Sequence, residues 1–150
     1  MNTRGLIGAS AALSVGGALL LSATPKLADP DLFFGNVAAY GVLPLDGVWL
    51  TAVVVPPLEL VLGLALLSGT LRSGAAAIAA VLLLGFASLQ GWALATGLDV
   101  PCGCFSVGDG GSVSAFTVGR AALLSLLASI AFFCTGSPKT VHRESTGAPS

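Results

Sequence analysis

The sequence predicts an all-α integral membrane protein, a four-transmembrane-helix bundle with a short surface helix in its first outer loop. Three observations carry this expectation. Of 150 residues, 55% are hydrophobic and only 9% are charged, whereas a soluble domain carries charge on about a quarter of its residues. Four apolar stretches each approach the roughly 20 residues that cross a bilayer as a helix. Strand-like alternation with a polar lumen face, the mark of an outer-membrane barrel, is missing.

The first stretch runs from Gly5 to Ala23 and holds no charge. A cleaved signal peptide competes for it, with Arg4 as the basic start. The apolar run exceeds the roughly 7–15 residues of such a segment, and Leu21 is too large for its cleavage pattern. Gly8, Ala12 and Gly16 instead form a small-xxx-small seam suited to helix packing. The stretch is therefore read as a span. In the loop from Thr24 to Gly47, Asp29 is placed to cap a helix that begins at Pro30. Phe33, Val37 and Tyr40 then form one apolar stripe, closed by Pro44. This short helix either packs on the ends of the bundle or lies at the outer membrane surface.

The second stretch runs from Val48 to Gly69. Pro56 and Pro57 interrupt it and are expected to kink it, because proline lacks the backbone donor. Glu59 follows them near the bilayer midplane, where a carboxylate must be paired or neutral. The third stretch, Gly74 to Ala95, carries Gln90 and Trp92 near its end. The fourth, Ala115 to Thr135, carries Arg120. Residues 1–136 are read as one transmembrane domain and 137–150 as a disordered cytoplasmic tail, polar and rich in Ser, Thr and Pro.

Basic residues set the expected orientation. Arg4, Arg72, Lys139 and Arg143 flank the spans on one side, which the positive-inside rule assigns to the cytoplasm. The opposite loops carry Asp29, Asp31, Asp46, Asp99 and Asp109 against Lys26 alone. Both termini are thus expected inside and the 96–114 loop outside a bacterial plasma membrane. A net charge of -1 offers no basic surface for nucleic acid.

The outer loop at 96–114 holds the chemistry-bearing pair Cys102 and Cys104, separated by Gly103. Two cysteines at this spacing can close a small ring whose strain makes it readily reduced. Outside the cytoplasm, oxidation of such a pair is normal. A static staple is the weaker alternative, since the ring closes almost no chain. A metal site is weaker still, for zinc takes four ligands and no histidine is near. Cys134 lies at the far end of the fourth span, about 30 Å away along the helix, and is read as a small buried residue.

Three further polar positions stand out. Glu59 and Arg120 are expected to face one another inside the bundle, as a structural clamp or a functional pair. Lys26 is read as an interface anchor and Trp92 as a belt residue beside it. His142, the single histidine, sits in the tail, so no Ser/His/Asp constellation can be built.

The ordered set Ser22-Ala23-Thr24-Pro25-Lys26-Leu27, Phe33 to Val37, Tyr40-Gly41-Val42-Leu43-Pro44, Pro57-Leu58-Glu59-Leu60 with Gly63, Cys102-Gly103-Cys104-Phe105 and Val118-Gly119-Arg120 resembles the MauE family of methylamine-utilisation proteins. That family is grouped with DoxX-like four-helix membrane proteins. The resemblance implies handling of disulfides outside the cytoplasm, with Cys102 and Cys104 as the family's cysteine pair and Glu59 and Arg120 as its intramembrane polar positions. Ser106 stands where the pattern usually has glycine, and Ala121 where a polar residue is common.

The expected function is a membrane thiol–disulfide redox protein exchanging with an extracytoplasmic, thioredoxin-like or disulfide-containing partner. No cofactor is evident in the residues; a quinone near Glu59, Arg120 and Trp92 is the relay that analogy with other four-helix disulfide-forming proteins suggests. The competing expectation is a non-enzymatic membrane scaffold or accessory subunit. A proton-coupled transporter using Glu59 ranks below both, because no inverted repeat is visible.

Overall fold

In the computed structural model, residues 3–69, 71–101 and 112–135 are described. Their sequence folds into α1 (Thr3–Ala28), α2 (Pro30–Ala39), α3 (Leu45–Ser68), α4 (Arg72–Ala95) and α5 (Ala115–Thr135). All but α2 are long and apolar enough to cross a membrane. Even α5, with 21 residues, reaches about 31 Å, matching a hydrocarbon core of about 30 Å. This is a multi-pass membrane protein.

The four long helices alternate in direction and close a ring. α1 packs on α3 and α5, α4 packs on α5, and α3 meets α4 more sparingly. The ring has two ends. At the loop end, α1 and α4 finish, α3 and α5 begin, and α2 is inserted. At the other end stand the start of α1, the α3–α4 turn and the close of α5.

Between helices in lipid there is little hydrophobic driving force, so close van der Waals approach must hold them. The core is accordingly built from small side chains. Ala12, Ala76, Ala79 and Ala128 are fully buried, with Val15, Leu19 and Leu66 filling the space between them. The tightest crossing lies between α1 and α3. A Cβ on Gly63 would stand 3.0 Å from the Gly16 carbonyl and 2.9 Å from Leu20, and one on Gly16 would stand 3.1 Å from the Gly63 carbonyl. The small-xxx-small seam expected along α1 is thus used at Gly16.

α1 is longer than its apolar run. It continues past Ala23 through Pro25 to Ala28. Pro25 removes only the donor that would have met the Leu21 carbonyl, and the helix is resealed by the Asp29 amide donating to the Pro25 carbonyl at 3.0 Å. The expected loop from Thr24 is therefore mostly helix, and Lys26 belongs to a membrane-spanning element. α3 likewise runs unbroken through Pro56 and Pro57. At its end, Gly69 takes the left-handed conformation (φ 79°) and donates to the Ala65 carbonyl, the usual way to terminate a helix.

α2 forms as its caps dictate. Asp29 accepts a hydrogen bond from the Leu32 amide at 3.0 Å, and Pro30 opens the helix. Phe33, Asn36 and Tyr40 are buried on the bundle, with Val37 half-buried. α2 is a helix packed on the bundle end, as the first of its two expected placements has it.

A second small core sits at the loop end, where Tyr40, Ala93, Val100 and Val113 pack together. The Val113 amide donates to the Val100 carbonyl at 3.0 Å, and Pro101 and Ser112 form an antiparallel bridge. Ser114 then caps α5: the Thr117 amide donates to Ser114 Oγ, and the Ser114 amide donates to Thr117 Oγ1 at 2.9 Å. Cys102, Cys104 and Asp109 lie outside the described residues, as does the expected tail at 137–150.

The crossing generates the first prediction. Gly63→Val forces a branched side chain against the Gly16 backbone and should destabilise the bundle by about 1–3 kcal/mol. Gly17→Ala, where nothing lies within 4 Å, should be neutral. Thermal unfolding of both variants in one detergent checks the contrast.

Candidate functional site

Side chains on a helix lean toward its N-terminus. For Lys26, near the C-terminal end of α1, that direction leads into the bundle, away from the nearer membrane surface. The residue follows it. Lys26 is 1% exposed, as is Glu59 of α3. Lys26 Nζ donates to Glu59 Oε1 at 2.7 Å and to Oε2 at 2.8 Å. It also donates to Ser22 Oγ, one turn back on α1, at 3.0 Å, and the Ser22 hydroxyl lies 3.3 Å from Glu59 Oε2. The rings of Phe33 and Phe86 each stand 5.0 Å from the ammonium, within cation–π range. One ammonium thus gathers α1, α2, α3 and α4.

The pair sits deep. Trp49 and Trp92 are 64% and 45% exposed at the loop end, where an interfacial aromatic belt is expected. Glu59 lies ten residues beyond Trp49 on α3, about 15 Å down the helix. That is close to half the hydrocarbon thickness.

Two sequence expectations are corrected here. Lys26 is not an interface anchor: it is the ion-pair partner of Glu59, because α1 continues helically past Pro25 and points the side chain inward. Arg120 was the expected partner; Lys26 takes that place, and Arg120 lines a small cavity together with Glu59, Ser22, Gln90 and Thr117. Trp92, expected beside any relay in the bundle, does not line that cavity and faces outward. Gln90, two residues earlier, is 2% exposed and turns inward.

Ser22, Phe33 and Phe86 are members of the site that sequence reading missed. Ser22 and Lys26 share a helix face at i, i+4, a signal available once Pro25 is allowed inside α1. Phe86 had no signal, since nothing marks one phenylalanine among seven as facing a cation. Cys134 is half-buried and packs against Gly8, at the end of the bundle opposite Val100 and Val113.

Four spanning helices packed around a buried Lys–Glu pair define a polytopic membrane protein of the small helix-bundle kind. The chain belongs to the MauE family: the profile described as methylamine utilisation protein MauE matches residues 4–134. No curated protein and no solved structure gives a significant match.

Removing one partner of a buried pair leaves an uncompensated charge, at a cost of about 3–5 kcal/mol. Lys26→Met and Glu59→Leu should each lower stability by that order. The double variant should recover most of the loss, because apolar replacement of both partners is often neutral. A double-mutant cycle on unfolding in lipid or detergent measures the coupling. Additive losses would show that the pair does not act as a unit.

Proposed function

We propose that this methylamine-utilisation-family membrane protein is a thiol–disulfide redox protein, with Cys102 and Cys104 as the exchanging pair. The observation that supports it most is the Pro101–Ser112 bridge, between whose residues the pair falls in sequence. Cys102 directly follows Pro101 in sequence, and the Pro101–Ser112 bridge lies at the loop end, the end at which the polar cavity meets Thr117 of α5. The charge bias of the sequence favours this end as the extracytoplasmic one, in a compartment where disulfides persist.

The reaction is exchange through a mixed disulfide. One thiolate of the pair attacks a partner's disulfide and releases one partner thiolate, which takes up a proton. The second cysteine thiolate then displaces the partner. Cys102–Cys104 ends oxidised, the partner ends as a dithiol, and two electrons have passed to it. Run backwards, the same steps oxidise the partner. A thioredoxin-like extracytoplasmic protein fits the partner role. A quinone is the lipid-soluble carrier that would take electrons onward, and the cavity beside Glu59 would admit its ring only if the helices parted.

A second reading, a membrane scaffold or accessory subunit, draws on a different observation: the Lys26 ammonium ties four helices together without any thiol. The two readings separate experimentally. Under the redox reading, Cys102→Ser and Cys104→Ser each abolish the oxidised form trapped by alkylation in membranes, and one of them accumulates a mixed disulfide with the partner. Disulfide formation in extracytoplasmic proteins that is unchanged by both substitutions would leave the scaffold. Alkylation of Cys102, Cys104 and Cys134 from each side of the membrane should label the pair and Cys134 from opposite sides.

A further inference from the structure

The cavity beside Glu59 encloses about 20 Å³. On this measure a water needs roughly 10–15 Å³ and two to four polar partners. The walls supply them from all four spanning helices: Ser22 of α1, Glu59 of α3, Gln90 of α4, and Thr117 and Arg120 of α5. The remaining wall is apolar.

The carboxylate has capacity to spare. An ionised carboxylate offers about four acceptor positions. Among the described residues Glu59 receives two donors from Lys26 at 2.7 and 2.8 Å and the single hydroxyl of Ser22, which lies 3.3 Å from Oε2 and 3.5 Å from Oε1. In the same lining, the Arg120 guanidinium and the Gln90 amide both carry hydrogen-bond donors. An acceptor and donors around one cavity are what one water joins, donating to the first and accepting from the second.

We propose that this cavity is a single-water site at mid-membrane depth, binding one ordered water between the Glu59 carboxylate and the donors of α4 and α5. The ion pair already fastens α1 to α3, and packing with the Ser125 hydroxyl donating to the Ala80 carbonyl fastens α4 to α5. The water adds a hydrogen-bonded link between these two pairs, and it hydrates a charge that lipid cannot. The volume suits a single water. This inference holds whether or not Cys102 and Cys104 exchange electrons.

The test is a structure of the full chain grown from a lipid phase, at a resolution that shows ordered water, for the wild type and for Ala121→Leu. Ala121 also lines the cavity, and leucine there would fill it. The expected result is one density peak in the wild type, within hydrogen-bond distance of a Glu59 carboxylate oxygen and of Gln90 or Arg120, and its loss in Ala121→Leu. A wild-type cavity without a peak, in a map that shows ordered waters at the loop end, would overturn the proposal. So would a lipid chain in the cavity. The wild-type map decides by itself if Ala121→Leu does not fold, and neither outcome depends on the redox state of the cysteines.

Discussion

The contact between the Lys26 ammonium and the Glu59 carboxylate is the constraint on which the rest of the bundle depends. Taking both charges out of water costs several kcal/mol for each ion, and at this depth no bulk solvent can answer it. The surroundings do so in parts. Two short hydrogen bonds join the ions, Ser22 bonds to both, and the faces of Phe33 and Phe86 close over the ammonium. The bonds to Glu59 do not survive a shift of α1 against α3 by one turn, about 5.4 Å. The pair therefore fixes the register of two helices that apolar packing alone would leave free to slide, which is the best attested use of a buried ionic contact.

The glycine crossing serves the same end. Gly16 and Gly63 let the α1 and α3 backbones approach closely, about one turn beyond Glu59 along α3. A wider separation there would splay the helices and pull Lys26 from Glu59. Steric closeness, which is what helices in lipid have to work with, thus sets the distance over which the electrostatic contact acts. α2 is drawn into the same arrangement through Phe33, so a segment outside the spans is anchored on a charge inside them.

The architecture was legible because apolar length is a direct physical requirement of a bilayer: the second, third and fourth spans differ from the expected stretches by at most three residues at either end. The cap at Asp29-Pro30 was legible for the same kind of reason, being local chemistry. The first span was read short because Pro25 and Lys26 look like the end of a membrane helix, and only the tertiary partner on α3 explains why the helix carries on. The choice of Glu59's partner was beyond reach. Lys26 and Arg120 are both plausible by sequence, and which one meets the carboxylate depends on the facing of helices that periodicity leaves undetermined in segments apolar all round. Trp92 and Gln90 show this at its smallest: two positions apart, one turns to lipid and the other inward.

The pin formed by Val100 with Val113 has a consequence for how such a protein can diversify. It brings Pro101 and Ser112 together, and both valines pack with Tyr40 and Ala93. Closure entropy grows slowly with length, by only about 0.6 kcal/mol for each doubling. By closure entropy alone, a change of length between Pro101 and Ser112 therefore has a small cost. The ends of the segment and the Lys26–Glu59 pair are thus held by different sets of residues.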